Sequence, residues 1–222
     1  MQVLKHIVLL MILYLVPACG HREKNTPGES VIPLDRLKAG NERFAQGHPI
    51  HPDETLQRIR ELKKGQHPFV AVVSCSDSRI PPELIFDQGL GDMFTIRTAG
   101  NVIGDYELGS IEYAVEHLGC RLVVVLGHED CGAIKAFVES DHQHHEDHIQ
   151  KIIDYISAEK EEASILGAIK DNPDLAVRAN ITHGVVTLRN APPILNKLVK
   201  EGKLTVIGAY YDLDNGRVKF EE

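Results

Sequence analysis

The chain has 222 residues, of which 43% are hydrophobic and 25% are charged, an ordinary balance for a globular domain that excludes a disordered or fibrous protein. Lysine and arginine total 24 against 32 aspartates and glutamates, giving a net charge of -8 at neutral pH. An acidic chain without a basic block argues against a nucleic-acid partner or an anionic membrane surface.

Residues 1–18 have the pattern of an export signal. A weakly basic start precedes the apolar run "IVLLMILYLV", which is followed by "PACG". The run is too short for an ordinary transmembrane helix. "VPAC" resembles a bacterial lipobox, which predicts a lipid on Cys19 and an exported, periplasmic, membrane-anchored protein; an uncleaved hydrophobic anchor is the alternative. Residues 19–33 are polar, with proline and glycine, and predict a flexible tether before a single domain at 34–222.

Two segments, 34–47 and 53–65, have apolar residues at helical spacing and end in glycine, which predicts amphipathic helices outside the core sheet. Short apolar, β-branched runs then predict strands. Because these runs are apolar on both faces, they favour a parallel sheet covered by helices. The predicted strands are 69–75, 93–97, 121–127 and 204–211.

The segments between these strands predict the covering helices: 106–119, 132–140, and a long region, 149–200, interrupted at Pro173 and at Pro192-Pro193. Strand and helix alternate, as in an open α/β sheet with helices on both faces. A "DNG" turn at residues 214–216 predicts an antiparallel edge strand at the C-terminal end.

Two strand ends carry unusual polar residues. "VVSCSDSRIPP" ends a strand at Cys75, and "GHEDCG" follows another with His128 and Cys131. In open parallel sheets, ligands bind at the carboxyl ends of the strands. Two thiolates and an imidazole favour zinc, and three protein ligands leave a fourth position for water, as in catalytic sites. Asp77 is the nearby candidate either for a fourth ligand or for a partner of that water.

The cysteine count fits the same site. Of four cysteines, Cys19 is the predicted lipid site, which leaves two metal thiolates and one buried free thiol, Cys120. Arg79 lies two residues after Asp77 and can clamp its carboxylate bidentately. A carboxylate fixed in this way would orient a zinc-bound hydroxide toward a small electrophile such as a carbonyl or CO2.

The two motifs, in this order, resemble the β-class carbonic anhydrases, whose signature is Cys-x-Asp-x-Arg followed by His-x-x-Cys. The resemblance runs from about Leu34 to the C-terminus and includes "FDQGLGDMFTIRTAGN" and "SIEYAVEHLG". It implies the reversible hydration of CO2 to bicarbonate and a proton by attack of zinc-bound hydroxide, with one Zn2+ per subunit. The implied zinc ligands are Cys75, His128 and Cys131, and the implied catalytic dyad is Asp77 with Arg79.

The resemblance also implies a substrate pocket and an assembly. Gln66 matches the family's glutamine that hydrogen-bonds the substrate across a dimer interface, and Phe94 and Tyr113 match aromatic positions near the CO2 pocket. The implied assembly is a homodimer or tetramer in which the N-terminal helices pack on a partner subunit. Some members of the family have a regulatory bicarbonate pocket that uses a tryptophan. This chain contains no tryptophan, so we do not expect that pocket, and we expect an open zinc site with a bound water.

Other interpretations remain open at this point. Cys75 and Cys131 can be inert core thiols, with His128 as a helix-capping residue. Gln66 can be an ordinary loop amide, and Phe94 and Tyr113 can be core residues without a role in the pocket. The same fold can act on CS2 or COS, and a non-catalytic zinc-buffering protein would use the tract "DHQHHEDH" at 141–148. That tract can also relay protons, or it can be a solvated polar connection between helices, which is the favoured interpretation because a histidine-rich composition is only a hint of metal binding.

Overall fold

A computed structural model of the chain describes residues 32–140, 147–159, 161, 167–169 and 172–221. One five-stranded sheet has the order β2-β1-β3-β4-β5. The first four strands are parallel, and β5 is antiparallel to β4 across the predicted turn, as expected from the sequence. The strands are β1 (Val70–Cys75), β2 (Met93–Thr98), β3 (Leu122–His128), β4 (Thr205–Tyr211) and β5 (Val218–Glu221).

Helices cover both faces of the sheet, which confirms the predicted α/β class. A short 3-10 turn, Ala99–Asn101, follows β2 directly. Among the described residues, no helix has both the length and the apolar character needed to cross a membrane. The helices are α1 (Pro33–Ala45), α2 (Leu56–Leu62), α3 (Pro82–Ile85), α4 (Asp105–Glu116), α5 (Gly132–Glu139), α6 (His148–Ser157), α7 (Asp174–Asn190) and α8 (Leu195–Lys200).

Within the described residues, the predicted helices are present with small differences in their bounds. The predicted helix at 53–65 shortens to α2, because Asp53 has a left-handed backbone (φ +56°) and the Thr55 hydroxyl caps the helix by accepting from the Arg58 N–H at 3.1 Å. The long C-terminal region breaks where its prolines stand: Pro173 caps α7, and Pro192 and Pro193 separate α7 from α8.

Alternate residues of β1 and β3 belong to two separate hydrophobic cores, one on each face of the sheet. Val72 and Val124 pack with α1, α5 and the first half of α7, whereas Val73 and Val125 pack with α4, α8 and the second half of α7. Every residue of both strands is therefore buried, as predicted for central parallel strands.

Two strand predictions need correction. The run at 93–97 is predicted to be covered on both faces, but β2 is an edge strand with its residues partly exposed, because β1 is the only strand that pairs with it among the described residues. His128 was expected just after its strand. It is instead the last residue of β3, since β4 extends the pairing as far as His128 and Tyr211.

Helix α7 packs closely against the sheet at two glycines. Ile181 packs over two glycines, and a Cβ atom added at Gly127 or Gly208 would lie 2.5 or 2.7 Å from its side chain. Small residues in the sheet thus allow the helix to approach, and Ile181 itself is fully buried. This contact sets the distance between α7 and strands β3 and β4.

Several predictions concern residues outside the described part. The export signal and the lipidation site Cys19 lie there, and so does the tether, except that Pro33 already begins α1. Of the histidine tract, only Asp147 and His148 are described. The Asp147 carboxylate caps α6 by accepting from the Gln150 N–H at 3.0 Å, and His148 is the first residue of that helix.

Candidate metal centre

The three predicted zinc ligands meet at the carboxyl edge of the sheet. Cys75 ends β1, His128 ends the neighbouring β3, and Cys131 is the residue that caps α5. Their ligand atoms all lie within 4.8 Å of one another, and the two sulfur atoms are 4.0 Å apart. All three side chains are buried. Residues separated by more than fifty positions are thus brought to a single point by adjacent parallel strands.

His128 is oriented as a metal ligand. Its Nδ1–H donates to the Glu129 carbonyl at 2.7 Å, which leaves Nε2 as the unprotonated nitrogen. Nε2 is fully buried and has no hydrogen-bond partner. A buried nitrogen without a hydrogen-bond partner is costly, and a metal ion held together with the two sulfurs would supply the missing partner.

The two thiols are also suited to a cation. The hydrogen bond from the Cys131 thiol holds the pKa of Cys75 well below its ordinary value, while the same contact and then burial raise the pKa of Cys131. The close contact therefore favours the ionised form of one sulfur and the protonated form of the other. A divalent cation held by these residues would stabilise both thiolates, which is the usual linkage between zinc binding and thiol ionisation.

Backbone N–H groups surround the sulfurs. The Gly100 N–H donates to Cys75 Sγ at 3.3 Å, and N–H groups in the first turn of α5 act on Cys131 in the direction of a lower pKa. Gly100 has a left-handed backbone (φ +67°), and a Cβ there would lie 2.9 Å from Ala133 Cβ. Only glycine suits this position, because both its conformation and its closeness to α5 exclude a side chain.

Arg79 clamps Asp77 beside the cluster. Its Nε donates to Oδ1 at 3.0 Å and its Nη2 to Oδ2 at 2.7 Å, and the Arg79 backbone N–H also donates to Oδ1 at 2.9 Å. These bonds, chiefly the side-chain ones, lower the pKa of Asp77 to about 2. Asp77 is not a member of the ligand cluster, although its Oδ2 is 4.0 Å from His128 Nε2. Its carboxylate is ionised and faces the cluster from outside.

Four further residues support this arrangement and were not recognised in the sequence. Arg97 on β2 donates to the carbonyls of Cys75 (3.1 Å) and Asp77 (2.6 Å), bracing the segment between ligand and dyad. The Asp130 side chain and carbonyl accept from Arg79 at 3.4 and 3.2 Å, which ties the dyad to the loop of His128 and Cys131. Gly100 and Asn180 form the third support, described below. Arg97, Gly100 and Asp130 stand in stretches that resemble the family, although their supporting roles were not recognised there, and Asn180 lies outside those stretches.

The predicted pocket residues do not reach the cluster within one chain. Phe94 pairs with Ala71 in the sheet, four residues before the Cys75–Thr98 pair and so about 13 Å away along the strand. Tyr113 lies against Phe94, with ring centroids 6.2 Å apart, and is exposed. Gln66 precedes β1 and lines a surface cavity with Ile59 and Leu90. All three therefore lie near the amino ends of the strands.

A second group of potential ligand atoms, from Glu129, Asp212 and Asp214, has a simpler explanation. Glu129 accepts from the Leu213 N–H at 3.0 Å, and Asp212 accepts from the Asp214 N–H at 2.9 Å. These carboxylates close the turn between β4 and β5.

Comparison with known proteins agrees with this geometry. Residues 70–218 match the family described as "Carbonic anhydrase". "Carbonic anhydrase 2" of Mycobacterium tuberculosis is 38% identical over 186 residues, covering 82% of this chain and 87% of that protein. The solved structure of the β-carbonic anhydrase CcaA has a TM-score of 0.69 at 27% identity, covering 85% of this chain and 95% of that one. A tetrameric β-carbonic anhydrase of Sordaria macrospora has a TM-score of 0.64 at 25% identity, covering 84% and 92%. The chain belongs to the β-class carbonic anhydrase family, zinc enzymes that interconvert carbon dioxide and bicarbonate.

Proposed function

We propose that Cys75, His128 and Cys131 hold the zinc ion with which this enzyme hydrates carbon dioxide, and that Asp77 and Arg79 form its catalytic dyad. The observation that carries the assignment is the buried Nε2 of His128, which has no partner in the protein and lies beside two sulfurs. When bound by three protein ligands, zinc supplies a Lewis acid that makes a water molecule nucleophilic near neutral pH.

The dyad then has a defined task. Asp77, kept ionised by Arg79, accepts a hydrogen bond from the attacking water and so directs a lone pair toward the substrate carbon. Arg79 prevents the carboxylate from turning away, because it holds both oxygens at once. Arg97 supports the pair from behind, through the carbonyl of Asp77.

The substrate pocket is completed by a second copy of the chain in this proposal. Gln66, Phe94 and Tyr113 are too far from the cluster to line it within their own subunit, and Gln66 lies beside exposed apolar residues, Ile59 and Leu90, that suit burial in an interface. Tetrameric relatives support an assembly of an even number of subunits. Helix α1 packs on its own core through Leu37, so α2, with no buried residue, is the better candidate for a contact with the partner.

The enzyme is further proposed to be an exported lipoprotein with its lipid on Cys19. The support is the N-terminal sequence: an apolar run and "VPAC" before a polar segment. Expression of the full chain with a radiolabelled fatty acid tests it. Label in the wild type and none in Cys19→Ala supports the lipid anchor, whereas equal label in both contradicts it.

Stopped-flow CO2 hydration on the purified chain from Cys19 onward, with zinc quantified in the same sample, tests the enzymatic proposal. The expected result is zinc-dependent turnover with one zinc per subunit, and loss of both in Cys75→Ser. A zinc-replete, active Cys75→Ser enzyme would overturn the ligand assignment. One zinc per chain without CO2 turnover would favour CS2 or COS as substrate, or a zinc-buffering role, and CS2 hydrolysis on the same sample separates these two.

A further inference from the structure

We propose that Asn180 is a positioning residue for the zinc site: its amide holds Gly100 so that the Gly100 N–H donates to the sulfur of Cys75. The inference rests on the proposed role of Cys75 as a zinc ligand and extends it to a residue on α7, which contributes none of the ligands. Two hydrogen bonds connect that helix to the ligand sulfur through a single glycine.

Both bonds are short and lie in the interior. Asn180 Nδ2 donates to the Gly100 carbonyl at 2.8 Å, and the Gly100 N–H donates to Cys75 Sγ at 3.3 Å. Asn180 is 3% exposed, and Gly100 is buried. Burial removes competition from water, so each bond restricts its partners more firmly than a bond on the surface does. The next residue on α7, Ile181, is wedged over Gly127 and Gly208, which gives Asn180 a rigid base.

The turn that carries Gly100 needs such an anchor. Gly100 and Asn101 both have left-handed backbones, with φ of +67° and +47°, and the second is unfavourable for a residue with a side chain. One local bond, from the Thr98 hydroxyl to the Val102 carbonyl at 2.7 Å, closes the turn. The amide of Asn180 adds a bond from another element, and removing it would leave a buried carbonyl unpaired at the residue whose N–H contacts the sulfur.

The contact with sulfur has a chemical consequence. A donor aimed at a thiolate withdraws charge from it, so the sulfur donates less to a bound metal and its orientation is fixed. Loss of that donor should therefore change the electronic environment of the metal as well as its affinity. A residue that merely stabilises the fold would change neither.

The test uses Asn180→Leu, which keeps the side chain's size without its donor, and Asn41→Leu as a matched control. Asn41 is also buried, and its amide bonds the carbonyls of Gly216 (2.9 Å) and Ile85 (3.2 Å), away from the ligand cluster. Zinc loss to a chelator and the sulfur-to-metal charge-transfer absorption of the cobalt(II)-substituted holoenzyme are measured for each variant. Asn180→Leu should lose zinc to the chelator more readily, with an affinity about 10–100-fold lower than that of the wild type, and should shift that absorption, as expected for an outer-sphere partner of a ligand.

The control should lower the thermal midpoint while leaving the absorption and zinc release as in the wild type. Wild-type zinc release and absorption in Asn180→Leu would overturn the proposal. If that variant does not fold, Asn180→Ser, a smaller change, is measured in the same way with the same two outcomes. Cys75→Ser separates this inference from the proposed function: if its cobalt absorption is unchanged, the ligand assignment fails, independently of Asn180.

Discussion

Replacing Asp77 with asparagine probes the dyad without changing the shape of its side chain. Arg79 donates from Nε and Nη2 to the two carboxylate oxygens, so an amide in the same place turns an NH2 group toward one of these donors. Because Asp77 is outside the ligand cluster, the variant should keep its zinc. Losing one preorganised electrostatic group in an active site lowers kcat by about 10²–10³-fold, and we expect Asp77→Asn to fall in that range.

The same substitution has a stability effect that depends on pH. The pKa of Asp77 is lowered to about 2 from an ordinary 3.8, chiefly by the side-chain hydrogen bonds from Arg79. That pKa difference corresponds to at most about 2.5 kcal/mol of folding stability. Since the Arg79 side chain is 45% exposed, solvent screening reduces the expected value to about 1 kcal/mol. A carboxyl whose pKa falls on folding stabilises the protein above its unfolded pKa, and this contribution is lost as the pH falls toward 2, about half of it by roughly pH 3.

Two measurements on the same samples check the reasoning. Stopped-flow CO2 hydration with zinc quantification gives turnover per bound metal. Urea unfolding of wild type and Asp77→Asn at about pH 7 and again at about pH 3 gives the stability difference, which should shrink at the lower pH. Turnover within about threefold of the wild type would refute the catalytic role. A stability difference that is the same at both pH values would refute the proposed ionisation of Asp77.

Cys131→Ser should lose zinc, whereas Cys120→Ser should bind it normally. Cys120 lies in the core, where its thiol donates to the Pro68 carbonyl and burial raises its pKa to about 11. Metal analysis of both variants compares them directly. Gln66→Ala and Asp77→Asn should each be weakly active, and turnover should recover when their unfolded chains are mixed and refolded. In a mixed dimer, one site has Asp77 from the first variant and Gln66 from the second, so that site is complete. No recovery of turnover would argue against a shared pocket. Deleting the histidine-rich residues 141–146 should lower activity under zinc limitation but not with zinc in excess if the tract captures zinc, and activity assays at both zinc levels decide this.

The sequence predicted most of the sheet because its strands are long, β-branched and buried on both faces. It also predicted that Cys75, His128 and Cys131 come together, since each lies at or just after the carboxyl end of a strand and these ends meet at one edge. The edge position of β2 was missed, because a run that is apolar throughout resembles a central strand until its neighbours are known.

The supports of the site were not predictable for a different reason. Arg97 and Asn180 act through backbone carbonyls of Asp77 and Gly100, respectively. A carbonyl presents the same atoms whatever the residue, so no spacing or residue type in the sequence indicates that these partners meet. Such contacts depend on the packing of α7 and on the register of β2 against β1, both of which are tertiary properties.

The exposed edge of β2 connects the two parts of the proposed site. Phe94 lies near the amino end of β2, and Arg97 lies near its carboxyl end, beside Asp77. The same strand therefore carries a proposed substrate-pocket residue and a residue that supports the proposed dyad. A two-fold axis perpendicular to β2 and close to its edge would reverse the strand, placing the amino end of one copy beside the carboxyl end of the other. Phe94 and Tyr113 of each chain would then approach the zinc ligands of its partner. The partial exposure of β2, which is a liability for an isolated sheet edge, is therefore what a pocket shared between two copies requires.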